Sequence, residues 1–205
     1  MHLSDRQRAR LLDIARRTIH HLLTCDGEQP APNFSVDSWL DPKLQQPAGC
    51  FVSLHDVGSQ RLRGCVGCLD AKLPLAQAVQ QGAESVLHDP RFLTHPVRLD
   101  ELSGLEMEIT VLSPLVEADD CLDFDLLEHG IHLTIGEESG CFLPQVARET
   151  GWSREQLLER LCVEKLGLPH DAWKQSAAKL ERFTTTIIGP QPFLSTSSPS
   201  TLGED

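Results

Sequence analysis

Leu62-Arg63-Gly64-Cys65-Val66-Gly67 places a cationic side chain two residues from a thiol and flanks that thiol with glycines. Because side chains alternate along an extended chain, Arg63, Cys65 and Gly67 are expected on one face. A guanidinium beside a thiol favours the thiolate, so Cys65 is expected to be reactive and Arg63 to hold an anionic group. Glycines in a strand mark a bulge or a close approach of a ligand or another backbone, so Gly64 and Gly67 are candidate binding positions. The alternative interpretation is a cysteine buried as a small hydrophobe beside a structural arginine.

This stretch belongs to a predicted β-hairpin, because two segments of alternating polarity flank turn residues at 56–60. Parity places apolar side chains on one face of the hairpin and polar side chains on the other. A register that pairs His55 with Arg61 sets Phe51 opposite Cys65. His55 then lies roughly 13 Å from Cys65 along the strands. A base for this thiol is therefore expected from elsewhere in the chain.

Periodicity predicts that helices and strands alternate along the rest of the chain. Helices are expected over residues 4–23, 74–88 and 153–167, and strands over 105–111, 131–135, 141–143 and 179–188. The strand over 105–111 is expected to turn one polar face to water. The polar, Pro-rich segment 26–49 is expected to be a long connection with Phe34 and Trp39 as anchors.

The composition limits the classes of function. The 205 residues carry 18 basic and 30 acidic side chains, a formal charge of -12, which argues against binding to duplex nucleic acid. The chain has no apolar run that would predict a signal peptide or a membrane span, and its seven cysteines then fit a reducing cytoplasm. It also has no Gly-rich phosphate-binding pattern. A cytoplasmic protein of the enzyme, ligand-binding or adaptor classes is expected.

Five motifs occur in the order seen in the AMMECR domain family, and the chain resembles that family from the first helix to about residue 188. They are the stretch 62–67, Asp89-Pro90-Arg91-Phe92, Leu143-Pro144-Gln145-Val146-Ala147, Gly151-Trp152 and Lys165-Leu166-Gly167-Leu168. The resemblance implies an α+β fold, an antiparallel sheet with flanking helices, arranged as a larger and a smaller lobe with a cleft between them. It implies one domain over residues 1–189, while composition predicts a disordered tail over 190–205.

The resemblance also implies partners. Bacterial and archaeal members of the family resemble component A of the AmmeMemoRadiSam system. The expected partners are a Memo-type protein related to extradiol dioxygenases and a radical SAM protein. Neither the substrate nor the reaction follows from the resemblance.

A metal site is not expected, although Cys65 and Cys68 have the spacing of a ligand pair. Residues three apart on a strand point to opposite faces, and no second cysteine pair or spaced histidine pair completes a tetrahedral set. Many relatives have a small hydroxyl residue at position 68, so the resemblance implies that Cys68 is particular to this chain. No metal and no cofactor are predicted.

Asp89, Arg91 and Gln145 are further candidate binding residues. Asp89 and Arg91 either pair to hold their loop or contact a ligand directly. Gln145 lies where a strand meets a helix, and its amide either satisfies the backbone or binds a polar ligand. We hypothesise that these residues converge with Cys65 on one cleft.

Two classes of function follow from these residues. In the first, Cys65 is a catalytic nucleophile or a thiolate contact, Arg63 holds an anionic group, and the glycines admit a small or modified substrate. In the second, the same motif shapes a surface that docks partner proteins without catalysis. We favour the first class, within a multi-protein pathway.

Overall fold

The computed structural model describes residues 2–25 and 41–193. Phe34 and Trp39, the expected anchors of the long connection, lie outside the described residues, as does the tail from residue 194. The α+β prediction is confirmed, because the described chain forms two antiparallel four-stranded sheets with flanking helices.

The described elements are four α-helices, eight strands, four short 3-10 helices and one π-helix that continues the last α-helix over Cys162–Leu166. The helices are α1 Asp5–Thr24, α2 Leu75–Ser85, α3 Pro144–Thr150 and α4 Arg154–Leu161. The strands are β1 Cys50–Asp56, β2 Leu62–Cys68, β3 Leu105–Leu112, β4 Val116–Glu117, β5 Gly130–Ile135, β6 Glu138–Phe142, β7 Ala178–Phe183 and β8 Thr185–Pro192. The chain divides into two compact units: the hairpin unit holds Leu3–Thr110 and the chain from Ile187, and the central unit holds Val111–Thr186.

The hairpin unit is a sheet of order β2-β1-β3-β8 that packs one apolar face against helices. Helix α1 begins at a capping box, in which Ser4 and Gln7 satisfy each other's backbone amides, as the sequence predicts. Helix α2 contacts β1, β2 and α1. The core side chains of this face are fully or almost fully buried, and they include Leu11, Ile19, Cys50, Val52, Leu54, Val79, Met107 and Ile109.

The β1–β2 hairpin has a different register from the predicted one. Ser53 rather than Phe51 lies opposite Cys65, and His55 pairs with Leu62. The register shifts between Leu54 and His55, which leaves Arg63 without an opposed residue. A bulge of this kind adds one residue to one strand, and the predicted register assumed a regular ladder.

The central unit is a second sheet, of order β4-β7-β5-β6. Its core contains Phe124, Ile131, Leu133, Leu158, Leu161 and Leu180. The predicted strand over 179–188 is wrong as a single element, because the chain forms β7 in this sheet and then β8 in the sheet of the hairpin unit. The predicted hairpin over 131–143 corresponds to β5 and β6.

The last strand runs further than the sequence predicts. Strand β8 continues to Pro192, and Phe193 is fully buried and donates its backbone N–H to the carbonyl oxygen of Leu105 at 2.8 Å. Residues 190–193 therefore belong to the hairpin unit and not to a disordered tail. Among residues 2–25 and 41–193, no helix combines the length and the apolar character needed to cross a membrane.

Candidate functional site

The second face of the hairpin-unit sheet carries the polar side chains. We define this polar face by Ser53, His55, Cys65, Glu106, Glu108 and Thr110. Ser53 and Cys65 are directly opposed on β1 and β2. The two residues share a face, as alternation predicts, but the predicted register had paired Cys65 with Phe51. The prediction that the polar side of β3 is open to water is wrong, because Glu106 is 8% exposed and Thr110 is 4% exposed.

Cys65 is fixed through its own backbone by two side chains. Its N–H donates to Asp89 Oδ2 at 2.9 Å, and its carbonyl oxygen accepts from Arg91 Nη2 at 3.0 Å. Both groups therefore point away from β1, towards the free edge of β2. The Asp89–Arg91 pair takes the place of a neighbouring strand at this one residue and blocks the exposed edge there.

Asp89 and Arg91 also hold each other. Asp89 Oδ1 accepts from the Arg91 N–H and Nε, each at 3.0 Å, and Oδ2 accepts from Nη2 at 2.7 Å. The Arg91 hydrogen bonds, together with the Cys65 and Arg91 backbone donors, lower the pKa of the Asp89 carboxyl to about 2. Asp89 is 3% exposed, whereas the Arg91 side chain is 58% exposed. Asp89 and Arg91 therefore form the ion pair that was one of the two predicted roles. The exposed part of the Arg91 side chain is also accessible to a ligand.

Arg63 does not have the predicted relation to Cys65. Its nearly buried guanidinium donates to Asp56 Oδ1 at 3.1 Å and to Glu101 Oε1 at 3.0 Å. Because Arg63 occupies the bulge, its side chain leaves the regular alternation on which the prediction rested. Arg91 is the cation beside Cys65.

The thiol of Cys65 is not poised as a thiolate. Burial raises its pKa, and the charge and hydrogen bond of Arg91 offset that rise only in part. The nearby carboxylates of Asp89 and Glu108 raise the pKa further. The adjacent cation is Arg91 rather than Arg63, and burial raises the pKa of Cys65 by more than Arg91 lowers it. The reactivity of Cys65 stays a prediction, and a nucleophilic step needs a proton acceptor.

Glu108 is the candidate for that acceptor on the same sheet face, and β1 lies between its strand and that of Cys65, so a proton passes between them only through a bridging group. Glu108 lies close enough to Cys65 to affect its pKa, and burial raises the pKa of Glu108 itself. A carboxylate with a raised pKa takes a proton from a thiol more readily than an ordinary glutamate does. Sequence reasoning did not select Glu108 or Ser53 as site residues, although alternation along β1 and β3 places both on the polar face.

The absence of a side chain at both glycines of the motif makes room for neighbouring protein atoms, and Gly67 also lines a cavity of about 390 Å³. A Cβ atom built on Gly64 would lie 2.7 Å from the carbonyl oxygen of Val86. One built on Gly67 would lie 2.5 Å from the Cα atom of Phe51. At both positions another part of the backbone approaches closely, which is one of the two structural reasons for a glycine in a strand.

Gln145 lies in the first turn of α3, within the central unit, at the predicted transition from strand to helix. Its Oε1 atom is buried without a hydrogen-bond partner among the described residues. A buried amide oxygen in this state is costly unless something binds it. Convergence of Gln145 with Cys65 on one cleft stays a prediction.

A resident metal has no evident site in the part of the chain that the structure describes. Over residues 2–25 and 41–193, no group of three or more His, Cys, Asp or Glu side chains is arranged to hold a metal ion. Cys65 and Cys68 point to opposite faces of β2, since they are three residues apart on a paired strand.

Comparison with known proteins agrees with the fold and the motifs. The model of the AMMECR1 family matches residues 12–188. This chain belongs to the AMMECR1 family. It is 35% identical over 152 residues to a protein of Methanocaldococcus jannaschii, covering 71% of this chain and 74% of the relative. It is also 35% identical to a protein of Pyrococcus horikoshii over 187 residues, covering 87% of each.

A solved structure gives the same result in three dimensions. The crystal structure of an uncharacterised protein of Pyrococcus horikoshii superposes on this AMMECR1-family chain with a TM-score of 0.79 and 31% sequence identity. The superposition covers 90% of this chain and 92% of that one. The family and the fold are therefore established.

Proposed function

We propose that this AMMECR1-family protein binds a small polar substrate at the polar face and that the Cys65 thiol takes part in its chemistry. The observation that carries the proposal is the arrangement around Cys65. A half-buried thiol is held by backbone contacts to the Asp89–Arg91 pair, on the same sheet face as Glu108, a carboxyl with a raised pKa.

In this mechanism the Cys65 proton passes to Glu108 through a bridging water or a polar group of the substrate, and the thiolate adds to an unsaturated electrophilic carbon of the substrate. The C–S bond forms as the π bond opens, and the displaced electron pair moves to the other atom of that double bond, which then takes up the proton. Proton transfer on binding is required because the resting thiol has a raised pKa. The exposed part of the Arg91 guanidinium offers a contact for an anionic group of the substrate. Arg63 is left with a structural role, since two carboxylates already pair with it.

The test compares strains that carry altered copies of the protein. Metabolite and RNA-modification profiles are measured in a deletion strain and in strains with Cys65→Ser, Glu108→Gln or Cys121→Ser. We expect the first two variants to reproduce the deletion profile and the third to match the wild type. Cys121 is a matched control, because it is also partly exposed and burial also raises its pKa. Thermal unfolding of each purified variant shows whether the fold is retained.

The alternative function is that of a non-catalytic adaptor that docks partner proteins. Two observations favour it: the thiol of Cys65 has a raised pKa, and protein atoms fill the space beside Gly64 and Gly67. A folded Cys65→Ser protein that restores the wild-type profile would favour this alternative and contradict the first proposal.

We further propose that the protein works with a Memo-type protein and a radical SAM protein. This part rests on the resemblance to component A of the AmmeMemoRadiSam system. Co-purification with tagged versions of both proteins tests it, with Cys65→Ser as a variant expected to keep the contacts. Failure to recover either protein, with and without crosslinking, would contradict it.

A further inference from the structure

Cys68 is left over from the site described above, and its neighbour is another cysteine. Cys50 begins β1, Cys68 ends β2, and the two residues are directly opposed in the last pair of the ladder. Residues opposed in this way have their side chains on the same face of the sheet. This face is the apolar one, opposite to Cys65.

The spacing of the pair suits a disulfide. The backbone groups of Cys65 point away from β1, so its pair with Ser53 is of the non-hydrogen-bonded type. Three residues along, the Cys50–Cys68 pair is of the hydrogen-bonded type, with Cα atoms about 5.5 Å apart. Disulfides span Cα distances of about 4.4–6.8 Å. Opposed Cβ atoms in a hydrogen-bonded pair are about 5.5 Å apart, so the two strand ends must approach by about 1 Å to reach the Cβ separation of a disulfide.

The two thiols also differ in access. Cys68 is exposed, whereas Cys50 is 2% exposed. Both line a cavity of about 390 Å³, together with small residues of α2 and the polar side chains Asp70, Lys72 and Gln81. That volume lies within the usual size range of small-molecule sites, so a thiol-bound reagent can be accommodated beside Cys68.

We propose that Cys50 and Cys68 form a reversible disulfide, with a low-molecular-weight disulfide such as oxidised glutathione as the oxidant. The exposed Cys68 loses its proton to solvent, and its thiolate attacks one sulfur of the oxidant and displaces one equivalent of thiol. The Cys50 sulfur then attacks Sγ of Cys68 and breaks the mixed disulfide, and the departing glutathione sulfur takes up the Cys50 proton and leaves as the second equivalent of thiol. Two protein thiols are oxidised to one disulfide while the oxidant is reduced to two thiols.

This inference is independent of the proposed function, because Cys65 takes no part in it. Cys68 is the attacking residue because it is accessible. Cys50 is the resolving residue, since burial and the neighbouring Cys68 raise the pKa of its thiol to about 12. The order of steps follows from this difference.

The experiment treats the full chain with oxidised glutathione, blocks the remaining thiols, and identifies modified cysteines by mass spectrometry of non-reduced peptides. In the wild type we expect a crosslinked peptide pair containing Cys50 and Cys68, which dithiothreitol reverses. In Cys50→Ala we expect a stable glutathione adduct on Cys68, because the resolving thiol is gone.

Cys68→Ser is included because Cys50→Ala changes a buried residue and can disturb folding, whereas position 68 is exposed. In this variant Cys50 should stay reduced while the other five cysteines behave as in the wild type. A wild-type protein that keeps glutathione on Cys68 without closing the disulfide would overturn the proposal. So would a disulfide that joins Cys68 to Cys65.

Discussion

Cys65 and Cys68 lie three residues apart on the same strand, yet they have different surroundings. Cys65 is on the polar face, with its backbone held by the Asp89–Arg91 pair and its thiol near Glu108. Cys68 is exposed on the apolar face, opposite the buried Cys50. Their spacing is that of a ligand pair, but residues three apart on a strand point to opposite faces, as expected from the sequence, and the two thiols have different chemical settings. Face and register, and not spacing, decide what each cysteine can do.

The largest expected effect comes from Gly67, which lies between the two cysteines. Gly67→Ala should lower the free energy of unfolding by about 3 kcal/mol, because the added Cβ meets the backbone of β1. Gly104→Ala is the matched control, since no atom lies within 4 Å of a Cβ built there. That variant should change the value by no more than about 0.5 kcal/mol. Urea unfolding measures the free energy of unfolding of both variants. Equal effects would contradict a close approach of the β1 backbone to Gly67.

The next effect concerns Asp89, which binds the backbone of Cys65 and not that of Cys68. Its pKa is lowered from 3.8 to about 2, so the ionised form stabilises the fold by about 2 kcal/mol near neutral pH. This stabilisation is present above the unfolded-state pKa of about 4 and is lost as the pH falls through the folded-state pKa of about 2. Asp89→Asn should therefore be less stable than the wild type at pH 7, and the difference should shrink as the pH approaches 2.

Urea unfolding across this pH range provides the measurement for Asp89. Asp100→Asn is the control, because Asp100 pairs with Arg98 at an exposed position and should contribute less than about 0.5 kcal/mol. A difference between Asp89→Asn and the wild type that does not depend on pH would contradict the assignment of the lowered pKa to Asp89.

The sequence predicted the division of this hairpin into two faces but not its register. Alternation with a period of two is a property of any strand, so Ser53 and Cys65 were correctly assigned to one face. The bulge that shifts the register is a backbone irregularity that no particular amino-acid pattern marks. The turn residues at 56–60 are compatible with more than one hairpin register. Arg63 was misassigned for the same reason.

Longer-range partners were harder to predict. The Asp89-Pro90-Arg91-Phe92 motif was identified, yet its contact with the backbone of Cys65 joins residues 24 and 26 positions apart. No periodicity encodes such a contact. The continuous pattern over 179–188 likewise conceals a change of sheet, because an alternating strand looks the same in either sheet.

The two thiols should also differ in their rates of alkylation. At neutral pH, iodoacetamide should modify Cys68 at least about tenfold faster than Cys65, because Cys68 is exposed and burial raises the pKa of Cys65. Peptide mapping over time gives both rates in one sample. In urea-unfolded protein the rates should converge. A faster reaction at Cys65 in the folded state would restore the hypothesis of a standing thiolate.

The smallest effect separates the two arginines. Arg91 lowers the pKa of Cys65 through its charge, whereas Arg63 is paired with Asp56 and Glu101. Arg91→Ala should therefore shift the pH midpoint of Cys65 alkylation upward and slow the reaction at neutral pH by about threefold. The effect is modest, because an exposed guanidinium is screened by solvent and salt.

Arg63→Ala and Arg91→Lys complete this comparison. Arg63→Ala should reduce stability but leave the midpoint of Cys65 alkylation unchanged, since its ion pairs are structural. Arg91→Lys should keep most of the wild-type midpoint because it retains the positive charge. The pH midpoint distinguishes an electrostatic role from a change in access, which would alter the limiting rate at high pH instead. If Arg63→Ala shifted the midpoint as much as Arg91→Ala, the charge beside Cys65 would be shared by both residues, and the separation of their roles would be wrong.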